Sequence, residues 1–166
     1  VTFRSVYDGS EERFTPEMRQ KAAERGMTIH QIVTLASIIE REAVIPAERP
    51  LMAGVFYNRL REGMLLQTDP TVQYAIATEQ PGARELYGWW KTTLTAEDLE
   101  IDSPYNSYRY PGLPPGPICN PGMASLMAAL EPTPTDYLYF VARPDGSHAF
   151  ARTLEEHNAN VALYRR

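Results

Sequence analysis

The sequence predicts an α+β fold, a mostly helical single domain with a small antiparallel β-sheet that includes a C-terminal hairpin. Three observations carry that prediction. Apolar residues recur at helical spacing through the first third of the chain. Recognisable start and stop residues bracket those stretches. Only near Tyr137 does the pattern change to strand composition. The 166 residues suit one domain with a true core, and 43% hydrophobic with 22% charged residues is ordinary for a globular chain.

Each element has its own signal. Residues 1–14 form a short polar lead-in with a turn at Tyr7-Asp8-Gly9-Ser10. Thr15-Pro16-Glu17 opens a first helix, Thr15 as N-cap and Pro16 at the first helical position, ending at Gly26. Thr28-Ile29-His30-Gln31 fits a capping box, followed by Ile32, Leu35, Ala36, Ile39 and Ala43 on a helical repeat. A third helix starts at Pro46-Ala47-Glu48-Arg49-Pro50, runs through Met52, Val55, Phe56 and Leu60, and closes at Gly63. A fourth, shorter one begins at Asp69, read as its cap.

Residues 82–91, with Trp89 and Trp90, read as an aromatic loop, and Thr95-Ala96-Glu97-Asp98-Leu99 as a brief helix. Fourteen prolines and ten glycines, crowded into the middle third, predict long shaped loops before a helix from Met123 to Leu130. Tyr137 to Ala142 and His148 to Ala151 make the hairpin about a Pro144-Asp145-Gly146 turn. Thr153 caps a final helix running to Arg166.

Composition removes several function classes. A net charge of −5 gives no basic field for nucleic acid. The one cysteine, Cys119, permits no internal disulfide and reads as a packed small residue. His30, His148 and His157 are dispersed, without zinc-site pairing. No Gly-x-Ser-x-Gly elbow, Walker motif or dinucleotide fingerprint is present, and Ser37 lies inside a helix, so no cofactor is implied. No apolar run approaches the ~20 residues that cross a bilayer, and no signal peptide is visible.

A carboxylate acid is the chemistry that remains. Leu35-Ala36-Ser37-Ile38-Ile39-Glu40-Arg41-Glu42 places two acids at the end of an apolar helical run. A carboxyl beside buried apolar surface holds its proton toward neutrality, as a general acid must. The two side chains point about 200° apart, and the helical wheel does not choose between them.

The motifs resemble those of the MltG/YceG family of bacterial endolytic murein transglycosylases. They are the segment just quoted, Val55-Phe56-Tyr57-Asn58-Arg59-Leu60, Leu66-Gln67-Thr68-Asp69-Pro70-Thr71-Val72 and Tyr105-Asn106-Ser107-Tyr108. Gly112-Leu113-Pro114-Pro115-Gly116-Pro117-Ile118, Asn120-Pro121-Gly122 and Tyr137-Leu138-Tyr139-Phe140-Val141 follow in the family's order. The resemblance covers about residues 28–164, so 1–27 reads as a lead-in with its helix and 28–166 as the catalytic domain. It implies a full-length protein anchored by one N-terminal membrane helix, with a small LysM-like subdomain and an extracytoplasmic catalytic part. The present chain then corresponds to that catalytic part. Residues 79–93 are longer than the family pattern leads one to expect.

The resemblance places the catalytic acid on the second glutamate, Glu42. It implies that Glu42 protonates the glycosidic oxygen between N-acetylmuramic acid and N-acetylglucosamine. The carboxylate then takes the proton of the muramoyl C6 hydroxyl, giving a 1,6-anhydromuramoyl end. Hydrolytic glycosidases generally need two carboxylates; this reaction needs one. The implied partners are peptidoglycan glycan strands and, by the family alone, cell-wall synthases.

Gln67, Thr68, Tyr105, Asn106, Tyr108 and Asn120 are candidates to hold sugar hydroxyls and acetamido groups, or else to pin their loops. Asp69 belongs with them, as a helix cap or as the second acid of a hydrolytic muramidase. Arg59 and Arg109 are read either as receptors for substrate carboxylates or as surface ion pairs, and Glu40 and Arg41 as solvent-facing or paired charges. A non-catalytic peptidoglycan-binding module is the alternative from another class.

Overall fold

The computed structural model describes residues 14–164. The Tyr7-Asp8-Gly9-Ser10 turn and the last two residues lie outside them. The order is α1 (Pro16–Glu24), α2 (Ile29–Glu42), a 3₁₀ turn (Pro46–Glu48), α3 (Arg49–Arg61), α4 (Asp69–Glu79) and α5 (Ala83–Tyr87). A second 3₁₀ turn (Asp98–Glu100), α6 (Met123–Leu130), β1 (Tyr139–Ala142), β2 (His148–Ala151) and α7 (Leu154–Tyr164) complete it.

The caps read from sequence are in place. The Thr15 hydroxyl accepts from the Met18 N–H at 3.2 Å, with Pro16 at the first turn. Thr28 and Gln31 form a reciprocal capping box: the Gln31 N–H reaches the Thr28 hydroxyl, and the Gln31 side chain accepts from the Thr28 N–H. Gly26 and Gly63 take the left-handed conformation that ends a helix without steric cost.

Helix α2 is the axis of the molecule. Every residue from Ile32 to Ile39 is buried, so the helix is enclosed on all sides rather than lying on a surface. It packs on α6 most extensively, and also on α1, α3 and α4. Phe14, Met18, Ile32, Leu35, Ile38, Met52, Phe56 and Leu130 belong to this core. Val72, Ile76 and Ala83 centre a satellite cluster under the 94–108 loops. The buried Ser37 hydroxyl donates back to the Thr34 carbonyl, as its place in a helix requires.

Three elements differ from the sequence reading. Thr68, not Asp69, occupies the cap position of α4, and Asp69 is the first helical residue with its side chain engaged elsewhere. The 82–91 stretch is not all loop: Gly82 and Gly88, both left-handed, bracket the short helix α5. The brief helix expected near Thr95 is a single 3₁₀ turn. Its geometry is set by Thr95 and Asp98, each accepting the other's backbone N–H.

β1 and β2 pair antiparallel, Tyr139 opposite Ala151 and Ala142 opposite His148. Gly146 makes the turn. The extended segment from Thr133 to Tyr137 lies along α3, where Thr133 donates to Pro50 and the Asn58 amide donates to Thr135 and Tyr137. No described helix is long and apolar enough to cross a membrane.

Candidate active site

Three chain segments converge on the C-terminal end of α2. Residues 115–122 run down the helix: Pro115 meets His30, Ile118 donates its N–H to the Ser37 hydroxyl at 3.0 Å, and the Cys119 thiol donates to the Ser37 carbonyl at 3.4 Å. That path ends where α6 starts, against Glu40. From another side Trp90 meets Arg41, whose guanidinium carbon lies 3.9 Å from the ring centroid. The hairpin turn closes from a third, Gly146 against the Val44 side chain. The segment following α2 is tied to β2 by Glu48, which accepts from the His148 N–H at 3.1 Å and pairs with its ring Nδ1 at 2.7 Å.

Within that convergence the two glutamates separate. Glu40 accepts from the Gly122 N–H at 3.1 Å and the Ser125 hydroxyl at 2.5 Å, and Arg49 stands 3.7 Å from its other oxygen. It serves as the missing side-chain cap of α6, whose first turn presents unpaired N–H groups and partial positive charge. Glu42, the last residue of α2, is half-buried. The local sequence gives no sign of this division, because the two groups that hydrogen-bond Glu40, Gly122 and Ser125, lie more than eighty residues away.

The 67–71 and 106–108 stretches form one hydrogen-bonded block. Ser107 is its centre: its hydroxyl accepts from the Thr68 N–H at 2.9 Å and meets the Thr71 hydroxyl at 2.7 Å, and its carbonyl accepts from the Gln67 N–H at 3.0 Å. Neither Ser107 nor Thr71 is singled out by the sequence reading, though both lie inside quoted motifs. Thr68 and Asn106 are fully enclosed. The Asn106 amide donates to the Leu99 and Ile101 carbonyls while its oxygen accepts from the Tyr108 N–H, so it pins the loop.

The outward groups of the block are Gln67, Asp69 and Tyr108. Gln67 holds a left-handed backbone (φ 53°) without being glycine, a conformation that costs about 1–2 kcal/mol and persists here under the Ser107 clamp. The Tyr108 hydroxyl donates to Asp69 Oδ1 at 2.6 Å. Arg59 is neither a surface ion pair nor a receptor for substrate. It is buried, and donates to the Leu138, Leu65 and Leu66 carbonyls and to the Gln67 side chain. Burial lowers its pKa, with the Tyr139 and Tyr108 hydroxyls opposing. Arg109 stays exposed, bonded to the Glu100 carbonyl and near Asp102.

Tyr105 stands apart from that block, packed on Tyr74 with centroids 4.8 Å apart. Burial raises its hydroxyl pKa, with Tyr74 and Glu79 adding to the effect. Asn120 is exposed, two residues before the α6 start that binds Glu40. Cys119 is chemically quiet: burial pushes its thiol up to about 11, helped by Glu40 and opposed by Arg41. Among the described residues no three histidine, cysteine, aspartate or glutamate side chains are grouped to hold a metal ion.

Known proteins share this architecture. An endolytic murein transglycosylase of Bacillus subtilis is 48% identical over 153 residues, 92% of this chain and 38% of that protein. One of Streptococcus pneumoniae is 36% identical over 142 residues, 83% of this chain and 24% of that protein. The chain thus spans less than half the length of these relatives. The crystal structure of a yceG-like protein of Listeria monocytogenes superimposes with a TM-score of 0.77 at 43% identity, over 94% of this chain and 46% of that one. The model of the YceG-like family matches residues 2–163, nearly the whole sequence, and the chain belongs to that family.

Proposed function

We propose that this chain is the catalytic part of an endolytic peptidoglycan lytic transglycosylase with Glu42 as its acid and then its base. The observation that carries the choice of residue is the capture of Glu40 by Gly122, Ser125 and Arg49. Those contacts give Glu40 a structural post at the start of α6. Glu42 stands two residues on, as the last residue of α2, with Trp90 seated on the neighbouring Arg41. The names carried by the bacterial relatives support the reaction class.

In the proposed reaction protonated Glu42 gives its proton to the oxygen joining N-acetylmuramic acid to N-acetylglucosamine, and that bond breaks. The muramoyl C6 oxygen attacks the anomeric carbon, and the Glu42 carboxylate takes the C6 hydroxyl proton. The acid is regenerated, the new end is 1,6-anhydromuramoyl, and no water is consumed. Gln67, Tyr105, Tyr108 and Asn120 are the proposed sugar-facing side chains, with Thr68 and Asn106 supporting them from below. Residues 28–166 carry this chemistry and 1–27 lead into it. The substrate places the site on the extracytoplasmic side of the membrane, with the full-length protein anchored there beside cell-wall synthases.

Mass spectrometry of purified peptidoglycan treated with the chain, and separately with Glu42→Gln, tests the proposal. Anhydromuramoyl ends from the first sample alone are the expected result. Reducing ends would replace it with hydrolysis and make Asp69, oriented by Tyr108, the second acid. Strand binding without products from either would favour a binding module.

A further inference from the structure

The 79–91 segment carries the chain's only two tryptophans. Trp90 is seated on Arg41, the residue before Glu42. Trp89, still 44% exposed, stacks on Tyr74 with centroids 6.1 Å apart and planes at 18°. Tyr74 in turn packs on Tyr105. One ring thus lies on Arg41 near the end of α2, and the adjoining Trp89 begins a run of rings through Tyr74 to Tyr105 in the loop of the sugar-facing candidates. The outer border is apolar and open: Leu86 is 72% and Tyr87 45% exposed, beside a cavity of about 630 Å³ bounded by Pro81, Glu85, Leu86 and Tyr87.

This border is held in place. The Gln73 amide donates to the Lys91 carbonyl at 2.8 Å. Lys91 grips the buried Asp98 at 2.7 Å while lying over the Tyr87 ring. Burial opposes the Asp98 charge, but Lys91 and the Thr95 N–H and hydroxyl together lower its pKa. Arg84 covers Trp89 as Arg41 covers Trp90. A purely structural aromatic cluster would bury these faces. Here Trp89 and Tyr87 stay exposed beside cations, while Trp90, Tyr74 and Tyr105 pack partly against the core.

We infer that the 79–91 segment is a subsite for the glycan strand, its aromatic track receiving N-acetylated sugar rings to one side of the cleaved bond. The inference rests on the transglycosylase reading, since it takes the strand as occupant. The chemistry fits that occupant. Pyranose rings offer apolar C–H faces to aromatic side chains, and arginines set on the same rings meet the carboxylates and acetamido oxygens along the polymer. A strand held at Glu42 would continue onto Trp90, which lies on the neighbouring Arg41, and then onto the adjoining Trp89.

Because the track holds both tryptophans, intrinsic fluorescence reads it directly. Titrating Glu42→Gln with purified uncrosslinked glycan strands is expected to give a saturable change in tryptophan emission. Trp89→Ala is expected to weaken binding of long strands about ten-fold, equivalent to ~1.4 kcal/mol, with short fragments little affected. Trp89→Phe should restore most of that loss at an unchanged melting temperature. Emission that stays constant while co-sedimentation shows the strands bound overturns the subsite and leaves the transglycosylase reading intact. Strands that fail to bind by either measure overturn both.

Discussion

Glu40 is held by the start of α6 and by Arg49. Its oxygens cap α6 and face Arg49, so Glu40→Gln keeps the shape of the contact but loses its charge. That variant should retain cleavage while losing about 1 kcal/mol of stability in a denaturant melt. Glu42→Gln should do the reverse, with cleavage lost by about 10²–10⁴-fold, the usual weight of a general acid, and an unchanged melt. A swap of the two outcomes would move the acid to Glu40. Ser107→Ala should destabilise by about 1–3 kcal/mol, because it strands the buried Thr68 N–H. The wheel could not divide the two glutamates, because Gly122 and Ser125 are placed by tertiary packing. Asn106 illustrates the same limit: its type fits a sugar site or a loop pin, and only the Leu99 and Ile101 carbonyls commit it to the second.

At the scale of elements, local chemistry was legible wherever partners are close in sequence. Thr15 with Met18, and Thr28 with Gln31, identify helix starts from residues within one turn. Legibility failed where the partner is remote. Asp69 has the composition of a cap, yet Tyr108 takes its side chain and Thr68 holds the cap position. α5 was hidden because five residues between two glycines show no period. Gly54 is a position no local rule explains. Any Cβ there would collide with the Thr133 carbonyl and crowd the Thr135 methyl, so α3 and the Thr133–Thr135 backbone touch through that gap. Gly54→Ala, normally helix-stabilising, should instead cost about 1–3 kcal/mol through overpacking, measured by thermal melt.

Across the whole molecule, the fold class followed from the change of period near Tyr137, and the convergence on the end of α2 did not. That convergence needs Gly146, Trp90 and Gly122 to meet from distant points of the chain. Global stability has an alkaline limit set partly by Tyr57. Burial pushes its hydroxyl from the ordinary 10.0 up to about 12, with Arg25 opposing, while it donates to the Ala129 carbonyl. The folded chain therefore holds a proton that the unfolded chain releases first. Tyr57 contributes its full share below pH 10, and that share falls as pH rises toward 12. Tyr57→Phe should flatten the decline between denaturant melts at about pH 9 and about pH 11, leaving the slope that Cys119 and Tyr105 contribute.

The thiol of Cys119 bears on the chain's life among its own copies. At the extracytoplasmic site proposed above, oxidants join exposed thiols between molecules, and such joining proceeds through the thiolate. Here the sulfur is tucked against the α2 backbone and stays protonated until about pH 11. The burial of Cys119 thus guards this part of the protein against disulfide exchange between copies.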